Sequence, residues 1–167
     1  MSAIPVRRLN HAVLFVSDVQ RSATFWTAAF DMEVATEVPQ ANAVFLRLRG
    51  QKNHHDLGLF GLGANAEKPV GAGIGLYHLA WQVDTIDDLA KARETLVELG
   101  ALVGESSHGA TKSLYAKDPD DNEFEVMWMV PRVEWGAYEH DAVVERLDLE
   151  ADLQRWSGVR TADEIGQ

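Results

Sequence analysis

Twice along this chain, in the same order, apolar residues alternate at strand spacing and then recur at helical spacing. Residues 9–16 read as a strand with His11 near its start. Ser17-Asp18-Val19-Gln20 follows in the form of a capping box, with Ser17 as N-cap and Gln20 three residues on. Val19, Ala23, Trp26 and Phe30 then share one helical face, broadened by Phe25. Three strands are predicted next, over 32–38, 43–49 and 54–62. One Pro and three Gly within residues 68–75 mark a flexible link. After it the order repeats: a strand over 76–83 containing His78, a helix from 86 to 99 stopped by Gly100, and strands over 101–104, 112–117 and 123–130.

His11 and His78 lie 67 residues apart (78 − 11), and Ser17 and Thr85 are almost equally spaced. A duplicated βαβββ unit accounts for both intervals. The expected fold is therefore α+β, with two paired βαβββ modules, about 8–67 and 74–130, forming a cupped mixed sheet within a domain spanning 1–130. Side chains at the same depth of the two first strands would point into one concavity. Glu125, in an otherwise apolar last strand, would bring a carboxylate to the same point. Two imidazoles and one carboxylate are the facial triad of non-haem Fe(II) oxygenases, which leaves metal positions open. A lone strand His is usually only half-buried packing. Equivalent positions and the later Glu shift the balance toward His11, His78 and Glu125 as metal ligands.

Composition narrows the chemistry. The 167 residues, 46% hydrophobic, suit one domain or two small modules sharing a core. A net charge of −11 argues against nucleic acid as a partner. Without Cys there is no thiolate nucleophile, disulfide, iron–sulfur cluster or Cys-ligated zinc, so any metal must be held by His, Asp or Glu. The early apolar run 12–16 is too short for a signal peptide or a membrane span, and a soluble cytoplasmic protein without membrane contact is expected. Residues 131–167 form an acidic extension, expected to be helical. Its Trp135, Tyr138, Val143, Leu147, Leu149, Leu153 and Trp156 would pack over an open edge, cap the cup or meet a second subunit. His140 reads as a solvated helix residue.

The early His, the second His and Asp118-Pro119-Asp120-Asp121-Asn122-Glu123-Phe124-Glu125 together resemble the vicinal oxygen chelate superfamily over about residues 8–130. That superfamily includes glyoxalase I, bleomycin and fosfomycin resistance proteins, and extradiol ring-cleaving dioxygenases. The resemblance implies a divalent metal on His11, His78 and Glu125, with Fe(II) first and Mn(II), Ni(II) or Zn(II) as other choices. Asp121 stands where the family usually has Gly, so a left-handed backbone is expected there. Asn53-His54-His55-Asp56 is similar to the His-His segment of extradiol dioxygenases, which implies an acid–base role for His55. Tyr115, ten residues before Glu125, matches an active-site tyrosine, and His108 falls in a further histidine-bearing segment.

On this resemblance the chain is expected to be an extradiol-type dioxygenase acting on a catechol-like diol and dioxygen, and to form a homodimer. The alternatives are a glyoxalase-like isomerase or lyase with Asp56 as a fourth ligand, and a binding protein without catalysis. As neighbours in a strand, His55 and Asp56 would face opposite ways, and only one could enter the cup. Residues 61–75 are expected to select the substrate.

Overall fold

Asp18, rather than Ser17, caps the first helix of this computed structural model, which describes residues 3–67, 74–141 and 143–162. The Asp18 carboxylate accepts from the amides of Gln20 at 2.9 Å and Arg21 at 3.0 Å. It thus satisfies two of the free N–H groups at the helix start, and with a charged acceptor. Ser17 instead accepts from the Arg21 guanidinium at 2.8 Å.

The chain divides into two compact units, one up to Ala72 and one from Gly73. The first holds β1 (Ala12–Val16), α1 (Val19–Phe30), β2 (Met32–Val38), β3 (Ala43–Leu48) and β4 (Leu57–Gly61). Its sheet runs β1-β4-β3-β2, with β1 parallel to β4 and the other pairs antiparallel. The apolar stripe of α1 (Val19, Ala23, Trp26) packs on the sheet face that carries Leu14, Leu46, Leu57 and Leu59, all buried. Trp26 anchors this layer, and truncating a Trp so placed costs about 3–5 kcal/mol. Strand alternation turns Val13 and Phe15 to the opposite face, where they are exposed.

Two predicted strands are shorter than expected, and the difference matters for the site. β1 begins one residue after His11 and β4 two residues after His55, so neither histidine lies in a strand. Side chains take over the backbone pairing there. The Asn53 amide donates to the carbonyls of Asn10 and His55 at 2.9 and 2.8 Å, and the Asp56 carboxylate accepts from the amide of Leu48 at 2.8 Å. Such local alternatives to the ladder are what Asn and Asp offer. The opposite-face relation expected for His55 and Asp56 therefore does not apply.

The second unit repeats the order: β5 (Leu79–Gln82), α2 (Ile86–Glu98), β6 (Leu102–Ser107), β7 (Thr111–Lys117) and β8 (Glu123–Met129), in a sheet ordered β5-β8-β7-β6. Thr85 caps α2 by accepting from the Asp88 amide at 3.0 Å, and Gly100 ends it at φ 65°. Asp121 takes φ 67°, the left-handed conformation expected of it. Asp118 holds this turn, accepting from the amides of Asp120 and Asn122 and from the Asn122 side chain. The predicted link over 68–75 falls largely on residues 68–73, outside the described residues.

The extension follows as two 3-10 turns (Arg132–Glu134 and Gly136–Glu139) and α3 (Leu149–Trp156). It covers part of the open edge of β6, where Ser107 and Glu145 form an antiparallel bridge. α3 is tied down by Lys112–Asp152 at 3.5 Å, by Trp156 against Trp128, and by Asp87, which accepts from the Ser157 hydroxyl and the Gly158 amide. His140, exposed, sits at the end of the second 3-10 turn rather than in an α-helix.

Candidate functional site

In the first unit, β1 and β4 run side by side and bring their N-terminal approaches together. The amide of Ala12 donates to the carbonyl of Asp56 at 3.1 Å, which places His11 next to His55 with ring centroids 4.4 Å apart. An amide chain then decides which nitrogen of His11 carries the proton. The backbone N–H of His54 donates to Asn53 Oδ1, so that atom is an acceptor, and Asn10 Nδ2 also donates to it at 3.1 Å. Asn10 must then present its Oδ1 to His11 Nδ1 at 2.9 Å. His11 is accordingly protonated on Nδ1, and Nε2 keeps the lone pair a metal requires.

His55 sits between His11, His54 and the edge of Phe45, whose ring centroid is 4.9 Å away. Burial holds its pKa below the usual 6.5, and any positive charge on the adjoining His11 or His54 ring would push the same way. It is therefore a neutral imidazole at pH 7, able to accept a proton. Asp56 is committed elsewhere. One of its oxygens accepts from Leu48 N and the other from Asn53 Nδ2 at 2.9 Å, so its carboxylate fastens the loop.

In the second unit, His78 stands one residue before β5, the position His11 holds before β1. β8 runs parallel to β5 with Glu125 opposite Ala80, and His78 Nε2 lies 3.2 Å from Glu125 Oε2. Glu125 is buried, and a buried carboxylate needs a compensating charge. Two donors bound about 2.1 Å from one ion at right angles would stand about 3 Å apart, so this His–Glu spacing suits a pair of ligands. Among the described residues His78 Nδ1 is buried with no hydrogen-bond partner, so none of them sets the tautomer from that nitrogen. Within neither unit, among the described residues, do three His, Asp or Glu side chains gather closely enough to hold an ion alone.

Tyr115 lies directly across the strand pair from Glu125 and packs its ring 5.7 Å from that of His78. Burial raises its phenol pKa above 10.0, partly offset by a hydrogen bond from Ser106. Its hydroxyl meets His108 Nε2 at 2.8 Å, and Ser106 Oγ lies 3.0 Å from the same nitrogen. His108 Nδ1 in turn faces the carbonyl of Val143 at 2.8 Å. The first unit thus brings together His11 and His55, and the second His78, Glu125, Tyr115 and His108. Sequence reasoning missed Asn10, Asn53 and Ser106, although the pairs Asn10-His11 and Asn53-His54 are themselves a repeated signal.

Residues 8–126 match the model of the family described as the Glyoxalase/Bleomycin resistance protein/Dioxygenase superfamily. The chain is 29% identical over 123 residues to biphenyl-2,3-diol 1,2-dioxygenase 2 of Rhodococcus globerulus, an alignment covering 73% of this chain and 62% of that protein. It therefore spans less than two thirds of this relative. In fold it is similar to a glyoxylase/bleomycin resistance protein/dioxygenase domain from Frankia sp. EAN1pec, with TM-score 0.63 and 21% identity over 75% of this chain and 99% of that one. It is also similar to a mutant of the fosfomycin resistance protein FosX from Listeria monocytogenes, with TM-score 0.56 and 19% identity over 75% of this chain and 94% of that one. That FosX structure holds Mn(II) and 1S,2S-dihydroxypropylphosphonic acid. Among the described residues no helix is long and apolar enough to cross a membrane.

Proposed function

Because the chain belongs to the glyoxalase/bleomycin resistance/dioxygenase superfamily, we propose that it is a metal-dependent dioxygenase opening the ring of a catechol-like diol, with His11, His78 and Glu125 as its metal ligands. Bound by these residues, Fe(II) would supply an electron-rich centre with open positions for two vicinal oxygens and dioxygen. The remaining work belongs to side chains. His55, held neutral beside His11, takes a proton from a substrate hydroxyl and later returns it. Tyr115, across from Glu125, holds a substrate oxygen by a hydrogen bond.

The observation carrying this reading is the contrast between His55 and Asp56. A neutral imidazole adjoins the first ligand, while the carboxylate that a four-ligand isomerase site would need is spent on Leu48 N and Asn53 Nδ2. Two measurements test it. Elemental analysis should give one divalent ion per chain, with occupancy falling steeply in His78→Ala as one of three ligands is lost. Anaerobic Fe(II) loading followed by oxygen uptake should then reveal turnover with at least one member of a panel of vicinal diols. Full occupancy in His78→Ala, or no oxygen uptake with any diol, would defeat the proposal.

A further inference from the structure

We infer that the C-terminal extension is a working part of the site: the Val143 carbonyl fixes the tautomer of His108, and His108 thereby sets Tyr115 as a hydrogen-bond acceptor toward substrate. The inference rests on the reading of Tyr115 as a substrate-contacting residue, and it makes His108 a positioning residue rather than an acid or base.

A carbonyl oxygen can only accept, so His108 Nδ1, 2.8 Å from Val143 O, carries a proton. The other ring nitrogen, Nε2, meets two hydroxyls, those of Ser106 and Tyr115. In its neutral form the imidazole then has a bare Nε2. Tyr115 lies at 2.8 Å from that nitrogen and Ser106 at 3.0 Å, and we assign its one lone pair to the closer phenol proton. With the proton so directed, the phenol oxygen keeps a lone pair to accept from a substrate hydroxyl. In water the Nε2–H tautomer of imidazole predominates. Without Val143 the ring would then donate to the phenol, and the phenol proton would turn outward.

The carbonyl is held in place by more than one bond. Two residues further on, Glu145 exchanges both backbone hydrogen bonds with Ser107, each at 2.9 Å, next to His108 itself. The hairpin backbone is fixed by His108 N donating to Thr111 O at 2.9 Å. Beyond the bridge, Lys112–Asp152 and the Trp128–Trp156 pair hold α3 to the same unit. An extension that merely covered apolar surface would need Leu147 and Trp156 but no main-chain acceptor aimed at an imidazole.

The test uses the full chain carrying 15N-labelled histidine, with Zn(II) added as a diamagnetic ion. Long-range 15N–1H correlation should show His108 protonated on Nδ1 with a bare Nε2. Glu145→Pro removes one hydrogen bond of the bridge. It should move His108 toward the Nε2–H form and, in the Fe(II)-loaded protein, lower kcat for oxygen uptake about tenfold with KM within about twofold. A purely structural extension would lower the unfolding temperature in this variant and leave the tautomer and the kcat-to-KM split alone. The inference is overturned by an Nε2–H or charged His108 in the wild-type spectrum, or by an unchanged tautomer in folded Glu145→Pro. If the variant does not fold, the wild-type spectrum decides. A wild type that shows the Nδ1–H ring yet takes up no oxygen defeats the dioxygenase reading and leaves the tautomer assignment standing.

Discussion

Removing the Asp56 carboxylate separates a loop fastener from a metal ligand. In Asp56→Ala, Leu48 N–H loses an acceptor at 2.8 Å and Asn53 Nδ2 loses one at 2.9 Å. Hydrogen bonds to a charged acceptor are each worth about 1.5–3 kcal/mol, and the half-exposed setting favours the lower part of that range. The expected loss is about 3–4 kcal/mol. For a chain of this size each kcal/mol moves the unfolding temperature by roughly 2–4 °C, so a drop on the order of 5–15 °C should appear in a circular-dichroism melt. Asp56→Asn keeps one acceptor and should lose about half as much. Metal affinity, measured by competition with a chelating dye well below the melting range, should stay within about twofold of wild type in Asp56→Asn, since a non-ligand carboxylate contributes no coordination. A melt unchanged from wild type together with a tenfold or larger loss of metal affinity would refute the assignment and restore Asp56 as a fourth ligand.

His55→Gln should keep full metal occupancy yet lose oxygen uptake on the productive diol by roughly 10²–10⁴-fold; wild-type turnover would remove His55 from the chemistry. Asp118 gives a pH signature. Burial raises its carboxyl pKa above 3.8 against the opposing hydrogen bonds, so the folded state binds more protons than the unfolded one from about 3.8 up to the raised value. Stability should fall as pH rises through that interval. Asp118→Asn, which cannot titrate, should show a shallower fall in urea-denaturation free energy there, and equal slopes would contradict the assignment.

The two βαβββ units were legible because each cue was local. The helix-spaced run from 86 announces α2, and Gly100 announces its end. Ser17 misled because two adjacent residues could cap the same helix, and only geometry shows which oxygen reaches Gln20 and Arg21. The expected strand from 54 failed for a different reason. Asn10 and Asn53, 43 positions apart, divert the backbone into a side-chain network, and no periodicity reports a contact at that separation. His11 and His78 stood out through repetition and Glu125 as a carboxylate in an otherwise apolar strand, whereas the tautomer of His11 depends on amide orientations that no spacing encodes. Val143 was invisible as a site residue because its contribution is a main-chain carbonyl, which any residue possesses.

The tip of the hairpin between β6 and β7 carries a constraint on descent. Gly109 adopts φ 76°, and a Cβ built there would collide with the ring of Tyr138. Backbone strain and the colliding ring both bar a larger residue at 109 while Tyr138 stays. Tyr138 adds a clash to a position that the left-handed backbone already reserves for glycine, so a lineage that remodels the extension removes only one of the two constraints at 109. What a relative without the extension tolerates at 109 is then set by whether its hairpin keeps the positive φ.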